Sequence, residues 1–195
     1  MLRNHQLIGG LILGLIIAGS VAWGGNPAPV IAKAPAKATT VKAKPVINWR
    51  KPSQAKPYPN LKHYRHAWLY VSTKRQRVYV YNHKGAHQKV LYTMYCSTGT
   101  KKSPTPKGTY HIQAQRGYSF YNAASGEGAR YWVSWKDHGV YLFHSVPVNR
   151  RGHYVKAEAA KLGRKPASHG CVRLSIADAQ WVYHHVPYGM RVEIH

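Results

Sequence analysis

Hydrophobic and polar positions follow three different patterns along this chain. Residues 7–23 read LIGGLILGLIIAGSVAW, an unbroken apolar run, and no charged residue lies between Arg3 and Lys33. The run is 17 residues long. Five glycines, counting Gly24, suit a buried core helix poorly. A short basic start followed by such a run predicts a secretory signal or signal-anchor over 1–23. No clean small-x-small cleavage site follows it, which favours an uncleaved anchor. Residues 24–66 change to Ala, Lys, Pro, Val and Thr with no acid and no period. Such a stretch buries too little apolar surface to offset its ordering entropy, and its prolines and like charges favour an extended spacer. It is expected to be a basic linker.

From residue 67 the pattern becomes short apolar and aromatic alternations broken by turn residues. Strands are expected at 68–71, 78–81, 89–96, 110–113, 131–135, 140–143 and 190–194. Segments 97–108 and 118–130, rich in Gly, Ser and Pro, read as loops. Only 158–162 and 175–185 read as helical, the second with Ser175 as N-cap and Asp178 three residues on. The expectation is a mainly β domain over 67–195, with the 15 Tyr and six Trp of the chain largely filling its core.

Charge changes the picture of partners. There are 29 Lys+Arg against five Asp+Glu, a formal net charge of +24. All the acids (Glu127, Asp137, Glu158, Asp178, Glu193) lie late in the chain. Such a chain adheres to polyanions. With an export segment in front, anionic cell-wall polymers and a membrane surface replace nucleic acid as the expected partners. The domain is placed outside the membrane, in the cell wall or on the outer face of the plasma membrane. No HExxH or similar ligand spacing occurs, so neither metal nor cofactor is expected.

Candidate chemistry concentrates at Ser168-His169-Gly170-Cys171-Val172-Arg173-Leu174. A thiol is the best protein nucleophile near neutral pH once ionised, and cationic neighbours favour the thiolate. His144, at the end of an apolar strand, is the candidate general base. The backbone N–H groups of Gly170 and Cys171 suit an oxyanion hole, and Arg173 suits a substrate carboxylate. Cys96, the other cysteine, leaves a Cys96–Cys171 disulfide open in an oxidising compartment.

These motifs resemble the L,D-transpeptidase family of cell-wall enzymes. The likeness rests on SHGCVRL at 168–174, YLFHSVP at 141–147, STG at 97–99 followed by TPKG at 105–108, and SIADAQWVYHH at 175–185. It covers about residues 67–195. It implies a β-sandwich-like catalytic domain acting on peptidoglycan stem peptides. Cys171 would form a thioester with release of the terminal D-alanine, and an acceptor amine would resolve it into a cross-link. Water as acceptor would make the same site an L,D-carboxypeptidase, and a non-catalytic basic wall-binding protein is the remaining alternative. In the family pattern Cys171 is the nucleophile and His144 the base. The Ser145 carbonyl orients the imidazole, and Ser168, His169, Gly170 and Arg173 shape the pocket. Carbapenem acylation is a further implied property. Arg173-Leu174 stands where many members carry Asn. Spacing is the other departure: 23 residues separate His144 from Ser168, whereas 14 separate His153 from it. By counting alone His153 fits the family better and is the alternative base. If His144 is the base, residues 148–167 hold an insertion beside the pocket, expected to act as a lid.

Overall fold

The computed structural model describes residues 46–195; the expected signal or anchor and most of the expected linker lie outside the described residues. The described part is mostly β. Nine strands form one sheet: β1 (Ala67–Ser72), β2 (Arg77–Asn82), β3 (Lys89–Ser97), β4 (Gly108–His111), β5 (Arg116–Asn122), β6 (Glu127–Lys136), β7 (Tyr141–Ser145), β8 (Val172–Leu174) and β9 (Arg191–Ile194). Their order is β4-β9-β1-β2-β3-β8-β7-β6-β5. The segment after β4 returns to β6, with Gln113 N–H donating to Ser134 O at 2.8 Å and Ser134 N–H to Gln115 O at 2.9 Å. The sandwich-like expectation therefore takes the form of a single sheet curled on itself. Two helices accompany it, α1 (Lys156–Ala159) and α2 (Ile176–His185). Among the described residues no helix is long and apolar enough to cross a membrane.

Alternation builds the core. Leu69 and Val71 of β1, Val78 and Val80 of β2, and Val192 and Ile194 of β9 are fully buried on the concave side. Trp135, Phe143, Val172 and Leu174 join them, and α2 adds Trp181 and Val182. Ser175 caps α2 as its sequence suggests, its hydroxyl accepting from Asp178 N–H at 3.0 Å.

Two sequence expectations are corrected. Residues 118–130 form most of the β5–β6 hairpin rather than a loop, in register from Arg116↔Val133 to Asn122↔Glu127. β5 is an edge strand with Tyr118 and Tyr121 exposed, so it carries no alternating burial to announce it. The described end of the expected linker, residues 46–66, is also folded onto the domain. Ile47 and Trp49 pack on a second small core of Val146, Ala159 and Leu162. Tyr58 stacks on Trp181 with ring centroids 5.3 Å apart. Composition understates this segment because its aromatics, unlike the Ala-Lys-Pro run before it, have apolar partners.

Asp178 fastens this strap. Its side chain is fully buried. It accepts from Ser53 Oγ at 2.5 Å, Ser53 N–H at 3.3 Å and Tyr58 Oη at 2.7 Å. Burial pushes its pKa above the usual carboxylate value, with the hydrogen bonds from Ser53 and Tyr58 opposing that shift. Asp178→Ala strands the buried donors of the strap, and is expected to lower stability by about 3 kcal/mol in denaturant unfolding. It should also open residues 46–58 to proteolysis before the rest of the chain.

Candidate active site

Parallel pairing of β7 with β8 sets the site. The register is Phe143↔Val172, His144↔Arg173 and Ser145↔Leu174. Side chains alternate along each strand, so Phe143 and Val172 enter the core while His144 and Arg173 share the other face. Cys171, two residues before Arg173, lies on that same face. His144, Ser168, His169, Cys171 and Arg173 all line one cleft of about 710 Å³, whose far wall is the β5–β6 hairpin. His153 is exposed in a turn and does not line this cleft.

The imidazole of His144 is only 6% exposed. Its Nδ1 lies 2.6 Å from the Ser145 carbonyl oxygen. A carbonyl only accepts, so Nδ1 carries the proton and Nε2 is left as the basic nitrogen. Phe120 meets the ring edge-on, with centroids 5.7 Å apart at 87°. Burial, reinforced by the positive charge of Arg173 and opposed by the Ser145 hydrogen bond, lowers the His144 pKa to about 3. The imidazole is therefore neutral at pH 7.

Cys171 is half-buried, with Sγ 3.5 Å from the Val140 carbonyl oxygen. Its pKa is pushed up to about 11, mainly by burial; a hydrogen bond from the Leu142 backbone and the charge of Arg173 act the other way but lose. Arg173 thus favours the thiolate, as a cationic neighbour is expected to, but burial outweighs it. His169 points outward with 67% of its side chain exposed, its Nδ1 3.9 Å from Glu127. Arg173 is already neutralised: its Nη2 meets Glu127 at 2.5 Å and its Nη1 meets Glu158 at 2.8 Å. The guanidinium is 3% exposed and holds carboxylates of its own protein rather than standing free for one of the substrate. Burial pushes Glu158 upward, but hydrogen bonds from Lys161 and Arg173 outweigh it and hold its carboxyl below the ordinary value.

The SHGC loop is held from beneath. Ser168 Oγ donates to Cys171 O at 2.5 Å and accepts from Gly170 N–H at 3.1 Å. Of the two donors expected for an oxyanion hole, that of Gly170 is therefore committed to Ser168. Gly170 has φ +119°, and a Cβ there would sit 2.8 Å from a ring carbon of Tyr141, so this position admits no side chain. Thr105 Oγ1 accepts from Gly99 N–H and donates to Gly170 O, both at 2.8 Å. Thr98 O accepts from Ala167 and Ser168 N–H at 2.8 and 3.0 Å. The STG and TPKG segments are thus a cradle for the Ser168–Cys171 loop, a role their sequence spacing did not disclose. Gln76, also missed, is buried and clamps Thr98 through both ends of its side-chain amide.

Residues 148–167 do not form a lid. They belong to the crossover that a parallel β7–β8 pair requires. They turn through α1, contribute Ala159 and Leu162 to the second core, and deliver Glu158 to Arg173. Cys96 and Cys171 are both free thiols. Cys96 is fully buried in the main core, and its pKa is raised well above that of an ordinary thiol by that burial.

Two outcomes follow for titration. Native alkylation by iodoacetamide should label Cys171 alone, with a rate still climbing through pH 9–10, where an ordinary thiol levels off near its pKa of about 8.5. A plateau at that value would contradict the burial shift. Arg173→Met removes one partner of a buried ion cluster. It is expected to cost about 3 kcal/mol of stability and to raise the His144 pKa, read by NMR titration of the imidazole.

A family model of the L,D-transpeptidase catalytic domain (YkuD) matches residues 66–194. The Bacillus subtilis (strain 168) protein named "Putative L,D-transpeptidase YciB" is 46% identical over 155 residues, which is 78% of this chain and 76% of that protein. Among solved structures, a fused Zn-dependent amidase/peptidase/peptidoglycan-binding domain protein from Clostridium acetobutylicum ATCC 824 is 28% identical with a TM-score of 0.51, over 67% of this chain and 52% of that one. The L,D-transpeptidase LdtMt1 in complex with imipenem is 22% identical with a TM-score of 0.54, over 67% and 59%, and shares the fold. The present chain thus spans less than two thirds of either solved chain. With a family match over residues 66–194 and a relative of 46% identity, this chain belongs to the L,D-transpeptidase family.

Proposed function

We propose that Cys171 and His144 carry out acyl transfer between peptidoglycan stem peptides on the outer side of the membrane. The observation that carries this reading is one cleft lined by both Cys171 and a buried His144, whose Nδ1–H is fixed on the Ser145 carbonyl so that Nε2 is the basic nitrogen. The resting pair is neutral. The Cys171 proton passes to His144 Nε2 as Sγ attacks the carbonyl carbon of the third stem residue. The tetrahedral intermediate collapses with cleavage of the peptide C–N bond, and the departing D-alanine amine takes the proton from His144. An acceptor amine then attacks the thioester carbonyl and loses a proton to His144. Sγ leaves and is reprotonated, and a cross-link has formed. Ser145 acts as the orienting third member, a role that a carboxylate fills in other triads. Ser168, Gly170 and Arg173 hold the loop that presents Cys171, while exposed His169 stands at the mouth of the cleft. The net positive charge suits an anionic wall, and the apolar run at 7–23 suits a membrane signal or anchor.

The likeness to a transpeptidase solved with imipenem supports a carbapenem as probe. Imipenem should add one adduct mass to the protein, lost in Cys171→Ala. His144→Ala should slow acylation by about 10²–10⁴-fold, with His153→Ala near wild type. The reverse order would transfer the base role to His153. Incubation with tetrapeptide and pentapeptide muropeptides, read by mass, should give cross-linked dimers; trimmed tripeptides alone would make the enzyme an L,D-carboxypeptidase.

A further inference from the structure

The outer face of the β1–β2 hairpin is built unlike an ordinary solvated sheet face. An antiparallel pair with one face on the core normally presents polar residues on the other. Here the outward cross-strand pairs are Trp68↔Tyr81 and Tyr70↔Tyr79. Their rings form one continuous row, with centroids 5.0 Å apart for Trp68–Tyr81, 5.7 Å for Tyr79–Tyr81 and 6.0 Å for Tyr70–Tyr79. The interplanar angles along this path are 28°, 21° and 37°, whereas Trp68 meets Tyr70 edge-on at 77° and Tyr70 is inclined at 56° to Tyr81. Tyr70 continues the row onto His195, 5.7 Å away. The three tyrosines are half-buried, while Trp68 at the end of the row is 6% exposed and underlies rather than lines the surface.

Cations rim this row. A groove of about 530 Å³ over Tyr70, Tyr79 and Tyr81 is bordered by Lys74, Arg75 and Lys107. No acid answers them. The chain has only five, and four are placed elsewhere: Glu127 and Glu158 on Arg173, Asp137 on Lys136, and Asp178 under the strap. The fifth, Glu193, lies opposite Tyr70 on β9 and is taken by Lys84 and Arg191. The groove shares no lining residue with the cleft of Cys171.

From this juxtaposition we infer that the outer face of β1–β2 is a binding platform for a carboxylate-bearing glycan strand, the sugar backbone of the wall. Pyranose rings present apolar C–H faces that lie against aromatic rings, drawn by the ring quadrupole. Their hydroxyls exchange hydrogen bonds with tyrosine hydroxyls at the edge, and Lys74, Arg75 and Lys107 meet the carboxylates. A polyanion without sugar rings would use the cations and leave the aromatic row idle. The platform goes beyond the proposed stem-peptide chemistry. It would hold stem-free stretches of strand, whose carboxylates are free rather than amide-linked to a stem, while the separate cleft works on stems elsewhere in the wall.

The test uses the full chain and glycan strands freed of stems by amidase digestion, with binding read by fluorescence anisotropy of labelled strands. Tyr70→Ala/Tyr79→Ala should weaken binding about tenfold or more, while Tyr79→Phe keeps most of it. Lys74→Gln/Arg75→Gln, both exposed, should weaken binding and flatten its salt dependence without altering the melting temperature. Imipenem acylation of Cys171 should be unchanged in all of these variants, and Cys171→Ala should bind strands normally, so failure of the platform and failure of the catalytic reading are separable. The platform is overturned if stem-free strands do not bind, or if the tyrosine variants bind as well as wild type. It is also overturned if poly(glycerol phosphate) binds equally well and with the same dependence on the tyrosines.

Discussion

Parallel pairing of β7 with β8 is the constraint on which the site depends. Parallel neighbours cannot be joined by a tight turn, because the chain has to travel back the length of the strand before it starts again. The segment between His144 and Cys171 is that return path. Its length follows from the topology rather than from the chemistry. What the chemistry needs is the register, which sets His144 beside Arg173 and leaves Cys171 two residues upstream on the same face. The crossover then serves twice, closing the second core with Ala159 and Leu162 and bringing Glu158 to the buried guanidinium.

Arg173 shows how a strongly basic chain spends its few acids. Two of the five carboxylates converge on this one residue, from the start of β6 and from α1. A buried cation is costly alone and tolerable when paired, and breaking such a cluster costs more than never having built it. Here the cluster also ties the β5–β6 hairpin, the crossover and β8 together. Its charge reaches Cys171 and His144 as a minor influence beside burial. Burial raises Cys171 and lowers His144, so both rest uncharged. The proposed proton transfer would accordingly start from a neutral pair rather than from a thiolate–imidazolium couple.

The remaining acids fasten the periphery. Asp178 sits at the first turn of α2, the helix that follows β8, and gathers Ser53 and Tyr58 from the strap. The strap therefore belongs to the folded unit although it precedes the family match at residue 66. With the acids so committed, the cations on the outer face of β1–β2 are left uncompensated beside a row of aromatic rings, away from the cleft of Cys171.

Local pattern alone was enough for most strands of the core, for α2 with its Ser175 cap, and for Cys171 and His144 as candidates, because alternation, capping and nucleophile chemistry are written in neighbouring residues; β8, three residues long, was not among the expected strands. The edge strand β5 escaped, since a strand exposed on both sides of its pleat leaves no periodic signal. The strap escaped because its aromatics find partners only in α2, in β3 and in the crossover. The roles of Arg173, Gly170 and the STG and TPKG segments were decided by tertiary structure. Whether a guanidinium is free or spent, and whether a backbone N–H is open or taken, depends on Glu127, Glu158, Ser168 and Thr105 arriving from other parts of the chain. The same holds for ionisation: a histidine and an arginine beside a cysteine suggest a thiolate, but burial, which no local sequence states, outweighs them.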